Sequence, residues 1–175
     1  MTAITAFLPV RGDPAVLHGV FADDPGVWLP DARHLGGDRW RTVVHGAGTT
    51  RSVVARVNRV WRSGSTVWRT VSWLPAVDER EPERVARYLP TMDGELGLST
   101  AAGRPSLVFD ARYQPPGGPL GATLDALALH RVAQATADRF LADVAAGLSE
   151  AGLARAVVAD ADSTGSWDDP PSPDG

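Results

Sequence analysis

Between residues 38 and 113 of this 175-residue chain the apolar side chains recur at every second position, and beyond a proline and glycine run they recur every three to four. The first period belongs to strands with one buried face, the second to an amphipathic helix. Neither segment can take the other's role, so a set of strands and one long helix must share a core. The period-two region is dominated by Arg, Trp, Thr and Val and reads as strands over 38–46, 51–62, 65–74, 89–100 and 104–113. Gly46 to Thr50, Ser63 with Gly64, and Ala101 to Gly103 supply hairpin connections. The stretch 76–87 carries Asp78, Glu79, Arg80, Glu81, Glu83 and Arg84, too much charge for a core strand, and reads as a solvated loop.

Upstream, Ile4, Ala6, Leu8 and Val10 alternate with Thr5, Phe7 and Pro9 as a first strand. Asp13 and Pro14 form an N-cap and first-turn proline for a short helix over 14–22, with Val16, Leu17, Val20 and Phe21 on one face. Val27, Trp28 and Leu29 suit one more helical turn before the break at Gly36 and Gly37. Downstream, Gln114 to Pro119 ends any strand, and a long helix is expected over 119–151. Its stripe holds Leu129, Val132, Ala133, Ala137, Phe140, Leu141, Val144 and Leu148, with Arg131, Asp138, Arg139 and Glu150 opposite. Leu120, Leu124 and Leu127 fit a separate stripe about half a turn away. The predicted class is α+β: a curved antiparallel sheet wrapped around a long C-terminal helix, with two short helices after the first strand.

Composition bounds the chemistry. With 43% apolar residues there is material for one core, so residues 1–159 are expected to form a single domain. Residues 160–175, rich in Asp, Ser, Pro and Gly, are expected to be a disordered tail. The absence of Cys excludes disulfide scaffolds, thiolate zinc sites and cysteine nucleophiles. All 17 basic residues are Arg and face 21 acidic ones, a formal charge of −4 that argues against a nucleic-acid surface. Without Lys there is no Schiff base and no P-loop lysine. His18, His34, His45 and His130 lack metal-ligand spacing, and Gly46, Ala47, Gly48 reads as a turn, so no metal and no cofactor is expected. The chain shows no signal-peptide pattern and no run long enough for a membrane span, which predicts a cytoplasmic protein. A homodimer is left open.

The C-terminal third carries a resemblance. Leu89, Pro90, Thr91, Met92, Glu95 and Leu96, followed by Leu107, Phe109, Ala111, Tyr113, Pro115, Pro116, Gly117, Gly118, Leu120, Gly121, Asp125, His130 and Arg131, are similar to the SRPBCC superfamily. These are START-like, helix-grip proteins that include polyketide cyclases and dehydratases, and the stretch looks most like actinobacterial members. The likeness covers about 89–150, while the first 88 residues agree in element order alone. The resemblance implies a bent antiparallel sheet gripping the last helix, and a cavity that in relatives holds lipids, hormones, polyketides or other apolar molecules. It brings no catalytic signature.

Strand phase then proposes the lining. Val53, Ala55, Val57, Arg59 and Trp61 fall on one face, as do Val67, Arg69, Val71 and Trp73, and Leu107, Phe109, Ala111 and Tyr113; these are taken as inward. Arg56, Asn58, Arg62, Thr70, Ser72, Asp110 and Arg112 are taken as an outer, solvated ladder with opposite-charge pairs. Arg59 and Arg69 interrupt an apolar face. A buried guanidinium needs a carboxylate, a carbonyl or a ligand anion, and Arg69 in mid-strand is the better anchor for a ligand carboxylate or phosphate. His130 on the long helix is a polar contact or a general base, and Tyr113 can offer its hydroxyl to the same space. The ligand-binding set is therefore Arg69, Arg59, Trp61, Trp73, Val71, Phe109, Tyr113 and His130. The entrance is expected among 14–29, 76–87 and 115–119. Two other functions fit the same residues: an aromatase, cyclase or dehydratase using that cavity, or an interaction protein whose interior is filled by its own side chains.

Overall fold

The two periodicities become two layers. A computed structural model describes residues 2–46, 49–76, 91–114 and 126–164. Its sheet contains β1 (Thr2–Pro9), β2 (Arg33–Gly36), β3 (Arg39–Gly46), β4 (Thr49–Val57), β5 (Trp61–Ser63), β6 (Thr66–Pro75), β7 (Thr91–Ser99) and β8 (Ser106–Gln114). The spatial order is β1-β8-β7-β6-β4-β3-β2, with β5 also paired to β6, and every pairing is antiparallel. Helix α1 (Pro14–Ala22) follows β1, a single 3₁₀ turn covers Pro25–Val27, and helix α2 (Ala126–Thr164) closes the chain.

Helix α1 starts where the sequence says it should. The Asp13 carboxylate accepts from the backbone N–H of Ala15 and Val16, and Pro14 occupies the first turn. Helix α2 lies across the inner face of the sheet, and Ala133, Ala137, Phe140, Leu141, Val144 and Leu148 are buried against it. Arg131, Asp138, Arg139 and Glu150 face water, as the helical phase requires. The inner rows of the sheet can be read across the strands: Trp73, Met92 and Tyr113; Val71, Gly94, Ala111 and Ile4; Arg69, Leu96, Phe109 and Ala6; Val67, Leu98, Leu107 and Leu8.

Several expectations change. The Gly36 and Gly37 break is the turn of a β2–β3 hairpin, which four short, mostly exposed residues did not announce. Helix α2 runs through Thr164, five residues into the segment expected to be tail, because the Ala-rich run from Ala151 to Ala161 is a good helix former even where it is exposed. The strand expected over 51–62 is broken at 58–60. From Val57 to Trp61 the chain advances four residues while its partner goes only three, from Val71 to Trp68. That extra residue is a bulge, and it turns every later side chain to the other face. The loop over 76–87, except Ala76, and the helix start over 119–125 lie outside the described residues. No helix among the described residues is long and apolar enough to cross a membrane.

Candidate functional site

Three aromatic rings hold sheet and helix together at mid-grip. Trp73 of β6 stacks on Phe109 of β8 with centroids 5.8 Å apart, and both lean on Phe140 of α2, at 4.9 and 5.5 Å. On the α1 side of this cluster the interior is filled. Phe21 stacks on Trp28 at 5.3 Å, and Leu17, Leu98, Leu107 and Leu148 are fully buried around them.

The other side differs. Trp73, Met92 and Tyr113 form one cross-strand row, and the Tyr113 ring lies 6.3 Å from that of His130 in the second turn of α2. The Trp73 Nε1 and the His130 Nδ1 are buried, and neither has a hydrogen-bond partner among the described residues. An indole N–H is only a donor, and leaving it dry costs about 1–3 kcal/mol, so such atoms mark places where a water or a ligand atom completes the structure. The described parts of β6, β7 and β8 end or begin at this row, at Pro75, Thr91 and Gln114. Trp28 Nε1 and His18 Nε2 are also unpartnered, but they lie on the filled α1 side.

Arg69 has a different role from an anion anchor. It is 5% exposed, and its guanidinium donates to the carbonyls of Phe21 (3.0 Å), Ala22 (2.7 Å), Asp23 (2.6 Å) and Asn58 (2.9 Å). It also sits 5.9 Å from the ring centroids of Phe21 and Trp28. Burial lowers its pKa, and Asp23 and then Asp24 oppose the fall. The acceptors include the last carbonyls of α1, so the mid-strand guanidinium caps a helix C-terminus and fixes α1 over the end of the grip.

Of the expected lining residues, Val71, Trp73, Phe109 and Tyr113 lie on the inner face and His130 faces them. Arg59 and Trp61 do not: both are exposed, Trp61 by 46%, because the bulge at 58–60 shifts the phase of everything after it. Arg62, expected in the outer solvated ladder, is exposed, while the same shift pairs it with inward Val67 and brings its charge toward His18 of α1. Met92 and Phe140 stand beside Trp73 in the same interior and are absent from the expected lining set, although the β7 alternation and the helical stripe both carry them. Burial, with the Arg62 charge adding to it, lowers the His18 pKa from 6.5, opposed by a hydrogen bond to the Leu98 backbone.

Elsewhere His45 Nδ1 lies 2.8 Å from Asp143, whose other oxygen takes Arg139 at 3.2 Å, tying β3 to α2. Among the described residues no group of three metal-ligating side chains exists. Open cavities outside the grip include one of about 500 Å³ between α1 and α2, lined by Val16, Leu17, Ala145, Ser149 and Leu153. Others of about 590 and 650 Å³ lie on the outer sheet face.

No protein-family model matches the chain, and no curated protein matches its sequence. Solved structures do match its shape. The protein TTHA0849 from Thermus thermophilus superposes with a TM-score of 0.51 at 15% identity, over 88% of this chain and 99% of that one. The Zhui aromatase/cyclase from Streptomyces sp. R1128 superposes with a TM-score of 0.54 at 14% identity, over 89% and 95%. At such identities the likeness is one of fold. The chain has a helix-grip α+β fold, a curved antiparallel sheet around a long C-terminal helix, which is the fold the resemblance in its C-terminal third implied.

Proposed function

We propose that this chain is a cytoplasmic protein that binds a small, mainly apolar molecule, a lipid, polyketide or similar, between the sheet and the N-terminal half of α2. The observation that carries the reading is the pair of buried ring nitrogens on Trp73 and His130 that have no partner among the described residues, beside the Trp73, Met92 and Tyr113 row at the end of the grip away from α1. An apolar ligand there gains roughly 25 cal/mol per Å² of surface removed from water, and the two nitrogens orient it through one or two polar atoms. Val71, Phe109 and Tyr113 supply the wall. Arg69 supplies rigidity rather than an anion site, since four of its five N–H donors are taken by backbone carbonyls.

Native mass spectrometry of the purified protein, beside an organic extract of it, tests the proposal. The expected result is an apolar adduct whose readdition changes tryptophan fluorescence, with affinity reduced by Trp73→Phe and by His130→Ala. A clean apo mass with no response to fatty acids, sterols or polyketides supports instead an interaction protein with a closed interior. The enzymatic reading draws on His130 beside Tyr113, a base and a hydroxyl at one site, and on the fold likeness to an aromatase/cyclase. It requires turnover of a bound polyketide whose pH profile His130→Ala abolishes.

A further inference from the structure

The outer face of the sheet carries aromatic residues that the interior does not use. Trp61 stands opposite Trp68, and Trp68 opposite Gly97, in one cross-strand row. The two indoles stack with centroids 5.7 Å apart and planes 16° from parallel. A Cβ on Gly97 would come within 2.7 Å of the Trp68 ring, so it is the glycine that lets this indole lie down on the sheet. The bulge at 58–60 is what brings Trp61 to this side, where 46% of it faces water.

Two residues along the strands the charges are arranged against the usual rule. Glu95 is directly opposite Asp110, a like-charge pair that cross-strand ladders disfavour. Thr70 donates to Glu95 at 3.1 Å and Thr5 donates to Asp110 at 2.9 Å, so neutral hydroxyls hold both carboxylates in place. The next row adds Asp93 opposite Arg112. Among the described residues none of these three carboxylates is ion-paired. Both indoles, the three carboxylates and Arg112 line one open trough of about 650 Å³.

We propose that this trough binds a small alkylated ammonium ion, its methyl groups against Trp61 and Trp68 and its charge toward Glu95 and Asp110. The aromatic pair and the net negative charge of the trough, three carboxylates against the one Arg112, together select that chemistry. A metal ion in water would have to give up its tightly held hydration shell to meet an indole face, and a neutral sugar ring would stack but leave the opposed carboxylates repelling each other. An organic cation answers both, because an indole face attracts a cation more strongly than other aromatic rings do. The site is independent of the grip, since the sheet separates it from Trp73 and His130.

Choline and its neutral isostere 3,3-dimethylbutan-1-ol are the probes, followed by tryptophan fluorescence and by indole N–H shifts in NMR. Choline is expected to bind at least about tenfold more tightly than the isostere and to weaken as salt rises. Trp61→Ala and the pair Glu95→Gln with Asp110→Asn should each weaken choline by about tenfold or more, while Leu153→Ala at the exposed far end of α2 leaves it unchanged. Glu95→Gln keeps the shape and the Thr70 hydrogen bond, so its loss of affinity does not reflect unfolding. Equal binding of choline and isostere, preference for glucose over choline, or no shift of the Trp61 indole at any soluble choline concentration would overturn the proposal.

Discussion

At the scale of single residues, Arg69 shows how a buried charge is settled by backbone. Its four carbonyl partners belong to the end of α1 and to Asn58, so the guanidinium joins two elements that sequence separates by 46 to 48 residues and by 11. Replacement by Leu leaves those carbonyls dry, and a loss of about 3 kcal/mol or more is expected in urea denaturation. Arg69→Lys should recover less than half of that, since an ammonium cannot reproduce the fork. His18 gives the chain a pH dependence. Burial and the Arg62 charge depress its folded pKa below 6.5, so below that pH the unfolded chain takes up a proton that the folded chain resists. Stability should therefore fall as pH drops from above 6.5 through the depressed value, then level off. His18→Gln should flatten that slope in melts run across the range; an unchanged slope would assign it to other groups.

At the scale of elements, the periodicity identified both layers but not their irregularities. The alternation in 51–62 looks unbroken in sequence, since Val57, Arg59 and Trp61 keep the spacing of two, yet the pairing partner shows one residue too many. Helix α2 offers a test of packing against propensity. Gly to Ala inside a helix ordinarily stabilises by about 0.5–1 kcal/mol. At Gly147 a Cβ would sit 2.7 Å from the Trp28 carbonyl oxygen and 3.0 Å from its Cα, with no side chain able to yield. Gly147→Ala should thus destabilise, and a higher denaturation midpoint would show that the helix can shift. Helix α1 depends on its cap: Asp13→Ala should cost about 1 kcal/mol, since the side chain holds two backbone donors.

At the scale of the whole molecule, the Trp73, Phe109 and Phe140 cluster stands between the half of the grip under α1 and the half that holds the unpartnered nitrogens of Trp73 and His130. Phe140→Ala removes the contribution of α2 to that partition. It should lower stability by about 3–5 kcal/mol in chemical denaturation and enlarge the space available to an apolar probe. A smaller loss would mean that the helix settles onto the sheet and closes the gap. The exposed far end of α2, with Leu153 at 71% and Val157 at 70% exposure, is tied back through the solvent-exposed Arg155 to Asp23 contact. Such a pair is worth at most about 1 kcal/mol, so this end adds little to the core.

The sequence by itself determined the class of fold, the inward stripe of α2, the cap of α1 and the inner placement of Val71, Trp73, Phe109 and Tyr113. Each of these follows from neighbours a few residues apart, where a period of two or of 3.6 leaves one arrangement that buries the apolar side chains. Tertiary structure alone decided that Trp61 faces water, that Arg69 is consumed by a helix end, and that the nitrogens of Trp73 and His130 are left without partners. Those outcomes depend on strand register and on groups tens to more than a hundred residues apart, and no local pattern encodes which distant carbonyl or ring the folded chain will bring alongside.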